Sequence, residues 1–170
     1  LISVALVGVL YSRVRKINRR LAHNHAFLRA QSQRDPLTGL ANRRALHELT
    51  LHQGVQQAFD GALLLVDIDH FKHTNDGHGH AAGDLVLVEV ARRLAEAVTD
   101  DELVVRWGGE EFLIYRRNAT GAQAETLAGD LLRAMADTPV ALPGGTLRVT
   151  VSVGYGSFPL PPARLPLSLE

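Results

Sequence analysis

The sequence predicts an α/β (α+β) domain on a mixed, mainly antiparallel central sheet flanked by helices, preceded by a long N-terminal signalling helix. Three observations lead there. Residues 62–66 form an uninterrupted apolar run of strand length, suited to a buried strand. Two β-rich runs, 103–107 and 111–115, flank Gly108-Gly109, which reads as a hairpin and makes the sheet mixed or antiparallel. Other stretches repeat apolar residues at helical spacing, so helices pack on that sheet.

Taken in order, residues 1–10 are uncharged and almost wholly apolar, and Arg13, Arg15, Lys16, Arg19 and Arg20 follow them. Ten helical residues rise about 15 Å, half of a bilayer core of roughly 30 Å. A signal peptide would carry its basic residues ahead of the apolar run. A buried soluble helix is a second reading. The preferred one makes 1–11 the end of a transmembrane helix that starts before Leu1, with the basic cluster on the cytoplasmic side. Val7, Leu10, Val14, Ile17, Leu21 and Leu28 then recur in alternating three- and four-residue steps, with Asn24 and Gln31 filling the remaining seam positions. Residues 12–34 therefore read as a parallel two-stranded coiled coil, against the alternative of a single solvated helix.

Asp35-Pro36 ends that helix, because a residue before proline avoids the α region. The globular domain occupies 35–170. Within it, 42–53 and 84–98 have helical spacing, and Thr120 is placed to cap a helix reaching about Met135. Residues 147–158 alternate as a last strand region. The stretch 75–84 is too rich in Gly and His for a regular element.

The charge balance, 18 basic against 18 acidic residues, creates no field favouring nucleic acid. The absence of cysteine excludes disulfides and thiolate metal sites and suits a reducing compartment. A metal here needs oxygen or imidazole ligands, and oxygen cages select hard ions such as Mg²⁺. His70, His73, His78 and His80 match no usual zinc spacing.

Gly108-Gly109 suits a type I′ turn, which needs positive φ at both central residues. Glu110-Glu111 at its tip would alone be a solvated acidic pair. Asp67-Ile68-Asp69 follows the apolar run, and strand alternation sends both Asp side chains to one side. If that strand neighbours the hairpin, Asp67 and Glu110 can share one or two Mg²⁺ ions for an in-line displacement. Lys72 is near enough in sequence to neutralise phosphate charge; the bland alternative is a surface ion pair with Asp69. Asp84 is either the N-cap of its helix or a carboxylate that accepts from N1–H and the exocyclic amine of guanine.

Five segments carry a family resemblance: residues 34–44 (Arg-Asp-Pro-Leu-Thr-Gly-Leu-Ala-Asn-Arg-Arg), 67–76 (Asp-Ile-Asp-His-Phe-Lys-His-Thr-Asn-Asp), 79–84 (Gly-His-Ala-Ala-Gly-Asp), 106–112 (Arg-Trp-Gly-Gly-Glu-Glu-Phe) and 150–154 (Thr-Val-Ser-Val-Gly). In this order they resemble the GGDEF-domain diguanylate cyclases, with Glu in the third place of the naming motif. The resemblance implies a nucleotidyl-cyclase, palm-like fold and condensation of two GTP into cyclic di-GMP with release of two pyrophosphates. It implies a homodimer with one GTP per domain and two Mg²⁺ (or Mn²⁺) per active site. Asp67, Glu110 and the backbone carbonyl of Ile68 match the metal ligands, and Glu110 also the base for the ribose 3′-hydroxyl. Lys72 matches the transition-state stabiliser, Asn75 and Asp84 the guanine readers, His80 a further substrate contact, and Phe71 a wall of the nucleotide pocket. Gly108 and Gly109 let the backbone approach the triphosphate. Glu111 matches the fourth motif place, as a metal ligand or a structural residue. With the apolar N-terminus, the resemblance implies attachment to the inner membrane of a bacterium, with the catalytic domain in the cytoplasm.

Two departures stand out. Thr99 and Glu102 occupy the places of the family's Arg-x-x-Asp product-inhibition site, so feedback through that surface is expected to be weak or missing. The chain also stops in a Pro-rich stretch before the family's last helix, which reads as a truncated domain. The competing reading is a catalytically silent GTP or cyclic di-GMP binding module. Retention of Asp67, Lys72, Gly108, Gly109 and Glu110 favours the enzyme. A cyclase with a mixed guanine–adenine product is disfavoured by Asp84, and a dimerising linker has only the heptad segment behind it.

Overall fold

The computed structural model describes residues 13, 15, 16, 33–52, 60–99 and 101–158, with 50–52 described by their backbone alone. The chain divides into two compact units, Leu1–Arg34 and Asp35–Glu170. In the first, Arg13, Arg15 and Lys16 are helical and exposed. The expected membrane segment and coiled coil otherwise lie outside the described residues, and so does the expected truncation past Phe158. Among the described residues no helix is long and apolar enough to cross a membrane.

The second unit begins with β1 (Ala41–Asn42) and α1 (Arg43–His52). The Asn42 side chain starts α1 by accepting from the Arg44 and Ala45 amides at 3.0 and 3.2 Å. Next come β2 (Gly61–Ile68), α2 (Phe71–His78), α3 (His80–Ala97), β3 (Glu102–Gly108) and β4 (Glu111–Arg117). The unit closes with α4 (Gly121–Ala136), β5 (Val140–Leu142), β6 (Gly145–Leu147) and β7 (Val151–Phe158). Thr120 caps α4 as expected, in a reciprocal capping box with Gln123.

Five strands form one sheet in the order β1-β3-β4-β2-β7, with only the short β1–β3 pair parallel. Period-two alternation sends Leu64, Val66 and Ile68 of β2 and Phe112 and Ile114 of β4 into the main core. There they meet Val86, Val90 and Leu94 of α3 and Leu127, Leu131 and Met135 of α4. The opposite face packs Val105 and Tyr115 against Leu46 of α1. Each large side chain buried this way contributes about 1.5–3 kcal/mol. The expected mixed, mainly antiparallel sheet between helices is the observed architecture.

Three local expectations need correction. Residues 75–84 are almost wholly helical, because Gly79 joins α2 to α3 at φ 80°, ψ 160°, a conformation essentially reserved for glycine. Helix α3 therefore starts at His80, one turn earlier than its apolar spacing suggests. The apolar run 62–66 is not buried on both faces, since Leu65 is 43% exposed. Finally, 147–158 is not one strand. Leu147 ends β6, which pairs only with β5 in a separate hairpin, and the sheet strand begins at Val151.

Candidate active site

The site grows from the adjacent ends of β2 and β4. Antiparallel pairing runs along both strands and ends with Asp67 opposite Glu111. On its other side Asp67 lies opposite Ser152 of β7. The β3–β4 hairpin that carries Glu110 differs from the expected type I′ turn. A register shift at Trp107 makes Gly108 pair with Glu111, so Gly109 and Glu110 form the tip. Only Gly109 takes positive φ there, at 49°. The bulge moves the turn along by one residue and puts a carboxylate, rather than a second glycine, at the apex.

Asp67 and Glu110 are electrostatic neighbours. Burial, then the Glu110 charge, then the Asp69 charge push the Asp67 carboxyl above its ordinary range. Glu111, although opposite Asp67 in the ladder, is not among these causes. Asp69 has a separate role from Asp67, because β2 ends at Ile68 and Asp69 lies in the following turn. Its carboxylate accepts from Ser152 Oγ and Thr150 Oγ1, both at 2.7 Å, and these bonds hold its pKa below the ordinary range. Asp69 therefore ties β2 to β7 rather than pairing with Lys72.

Arg106 holds the hairpin tip. Its Nε and Nη2 donate to the Gly109 carbonyl at 3.2 and 2.9 Å, and Nη1 donates to Asp35 Oδ1 at 3.0 Å. Asp35 is itself fixed by donors from the Thr38 amide and hydroxyl at 2.8 and 2.7 Å. The Arg106 and Asp35 side chains are 15% and 16% exposed, so this clamp is mostly sheltered from water. Beside it, Arg43 stacks over Trp107 at 4.6 Å from the ring centroid.

The other predicted residues surround the α2–α3 corner. Lys72, in the first turn of α2, is exposed and takes part in none of the described ion pairs. Phe71 is 9% exposed and belongs to the main core, so it braces the corner from within. Ile68 is buried in the same core, which leaves only its backbone for a ligand. Asp84 is not a cap, because Gly79 holds that position. It is exposed in the second turn of α3, four residues after the exposed His80, so both lie on one helix face. Asn75 of α2 rests against Gly83, the residue before Asp84. A cleft of about 350 Å³ lined by His78, Leu85 and the β5–β6 hairpin borders this corner, but Asn75, His80 and Asp84 do not line it.

Sequence reasoning assigned no site role to Arg106, Asp35 and Thr38, which hold the hairpin tip, or to Thr150 and Ser152, which hold Asp69. The polar i, i+2 pair Thr150 and Ser152, flanking Val151 at the entry to β7, was the available signal. Arg106 and Asp35 are 71 residues apart, and no local pattern links them.

The donor set consists of hard oxygens, which fits Mg²⁺. Among the described residues no cluster of three or more His, Asp or Glu is arranged to hold an ion. Two carboxylates, completed by backbone and substrate oxygens, agree with the way Mg²⁺ is usually held.

The family model described as "Diguanylate cyclase, GGDEF domain" matches residues 32–166. The chain belongs to this family. Among curated relatives, this GGDEF domain is 36% identical over 151 residues to the cyclic di-GMP phosphodiesterase NbdA of Pseudomonas aeruginosa, covering 87% of this chain and 19% of the relative. It is 40% identical over 123 residues to diguanylate cyclase DgcM of Escherichia coli, covering 71% and 29%. Among solved structures, diguanylate cyclase SiaD of Pseudomonas aeruginosa, in complex with its activator SiaC, superposes with a TM-score of 0.69 at 34% identity. That match covers 88% of this chain and 57% of SiaD. The GGDEF domain thus spans about a fifth of the phosphodiesterase and less than a third of DgcM.

Proposed function

We propose that this GGDEF domain is the catalytic part of a diguanylate cyclase that condenses two GTP into cyclic di-GMP, as a homodimer with one GTP per domain. The observation that carries the reading is the Asp67–Glu110 pair. Strand pairing brings the end of β2 to the hairpin apex, and burial and then the Glu110 charge push the Asp67 carboxyl up, an arrangement that a bound cation or a transferred proton would relieve.

In this reading Asp67, Glu110 and the Ile68 backbone carbonyl hold two Mg²⁺ (or Mn²⁺). When bound, these ions supply charge neutralisation at the triphosphate and lower the pKa of the attacking hydroxyl. Asn75 and Asp84 orient guanine, His80 adds a substrate contact, and the exposed backbone of Gly108-Gly109 lets the phosphates approach. Glu110 takes the proton from the ribose 3′-hydroxyl. The 3′-oxygen forms a bond to the α-phosphorus of the facing GTP as the bond to pyrophosphate breaks, and Lys72 balances the developing charge. The reciprocal step closes the ring and releases the second pyrophosphate. A second copy is required because one domain supplies half of the reacting groups.

The apolar N-terminus and the basic residues after it support attachment to a bacterial inner membrane, with the catalytic domain in the cytoplasm. The test is turnover of GTP with Mg²⁺ by the purified full-length protein, beside Glu110→Gln. Cyclic di-GMP from the wild type and a loss of at least about 10²-fold in the variant are expected. GTP binding without product would replace this reading with the silent binding module.

A further inference from the structure

We propose that Gly83 is a positioning residue for base selectivity, because its missing side chain is the space that the Asn75 amide occupies. This rests on the reading of Asn75 as a guanine contact and extends it to a residue that touches no substrate itself.

The geometry is local. Helices α2 and α3 meet at a sharp corner made by Gly79, whose amide donates to the Asn75 carbonyl at 2.8 Å and whose carbonyl accepts from the Ala82 and Gly83 amides at 3.1 and 3.2 Å. This closure brings the side chain of Asn75 onto the first turn of α3, where Gly83 is buried. A Cβ at Gly83 would overlap Asn75 Oδ1, come within 3.0 Å of Asn75 Cγ and lie 3.2 Å from Phe71 Cζ. No backbone atom is among these nearest contacts.

The identity of the clashing group decides the consequence. Asn75 Oδ1 is the far end of a side chain with rotamer freedom, so α2 and α3 need not separate to admit a methyl group. The amide would swing away from Gly83, and hence from the Asp84 side of the corner. Within a helix, alanine is otherwise preferred over glycine. Gly83→Ala therefore acts on stability and on Asn75 in opposite directions: the fold tolerates the change while the amide loses its aim. Phe71 Cζ, 3.2 Å from the Cβ added at Gly83, would have to give by only a few tenths of an ångström, far less than Asn75 Oδ1.

The test is a double-mutant cycle on the full-length protein, with Gly83→Ala, Asn75→Ala and the two combined. Binding of GTP and of ATP is measured by calorimetry, GTP turnover is followed, and thermal melting checks the fold. Gly83→Ala is expected to weaken GTP binding about tenfold and to reduce the preference for GTP over ATP, the size of one lost hydrogen bond to the base. Its kcat is expected to stay within about twofold at saturating GTP, and its melting temperature to hold or rise. The combined variant should be no weaker than Asn75→Ala alone, since Gly83 acts only through that amide. Additive losses, or unchanged affinity and preference in Gly83→Ala, would overturn the proposal. A low melting temperature in Gly83→Ala that the combined variant does not recover would also overturn it, because the clash would then lie with the core. If Asn75→Ala itself binds GTP as the wild type does, the assignment of Asn75 falls, and this inference with it.

Discussion

Replacing Arg106 by alanine removes the link between the Asp35 loop and the hairpin tip, and its effect can be worked out from the contacts. The bond to Asp35 is sheltered and charge-assisted, worth about 1.5–3 kcal/mol. The paired donors to the Gly109 carbonyl are exposed and add about 0.5–1 kcal/mol. Arg106→Ala is therefore expected to destabilise the domain by about 2–4 kcal/mol, a fall of roughly 10 °C in melting temperature. Glu110 follows Gly109 directly, so releasing that carbonyl frees the apex of the hairpin, and a misplacement of about 1 Å costs about 10²-fold in rate. Base recognition, read as the preference for GTP over ATP, should change little, because Asn75 and Asp84 sit on α2 and α3, which Arg106 does not touch. Arg106→Lys should fall between, since one ammonium cannot reproduce the planar fork that reaches both partners. The assay pairs thermal melting with GTP turnover and equilibrium binding. Unchanged stability within about 1 kcal/mol would refute the energetic argument, and lost stability with normal turnover would refute the positioning role. Acid titration adds a check. At Asp35, burial opposes ionisation, but the Thr38 donors and Arg106 outweigh it and hold the pKa below the ordinary value. The stabilisation from this carboxylate is full above its unfolded pKa of about 3.9 and is lost as pH falls through the lower folded value. That acid-side loss should shrink in Arg106→Ala.

Two further outcomes are expected. Asp67 has a raised folded pKa, from burial first and then Glu110 and Asp69, so the stability tied to its protonated form is full below about pH 3.9 and is lost as pH rises through the folded value. Asp67→Asn should then raise the melting temperature of the metal-free protein at neutral pH while abolishing both turnover and stabilisation by Mg²⁺-GTP; a lower metal-free melting temperature would contradict the sign. At the place of the product-inhibition site, the Glu102 side chain is 2% exposed, accepts from the Thr99 amide and hydroxyl at 2.7 and 2.6 Å, and pairs with Arg116 at 3.1 Å. Saturating cyclic di-GMP should leave the initial rate within about twofold, and strong inhibition that Glu102→Ala relieves would show that this surface still binds product.

The sequence alone determined most of the sheet and the family. Alternation and helical spacing are local, so β2, the β3–β4 pair, the start of α4 at Thr120 and the mixed sheet were all legible from neighbouring residues. The acids Asp67 and Glu110, with Asn75 and Asp84 as the proposed base contacts, stood out because their motifs are contiguous. Tertiary structure decided what depends on distant or strained backbone. Strand pairing in β2–β4 placed Asp67 beside Glu110, and β2–β7 pairing gave Asp69 to Thr150 and Ser152 instead of Lys72. A bulge at Trp107 moved the hairpin turn onto Gly109-Glu110, a shift that no glycine count reveals, since pairing register depends on the whole ladder. Gly79, in a conformation that only glycine readily holds, turned a stretch that looked irregular into two abutting helices. That corner gave Gly83 its meaning: in the sequence it is a small residue before Asp84, and in the fold it is the space that Asn75 fills.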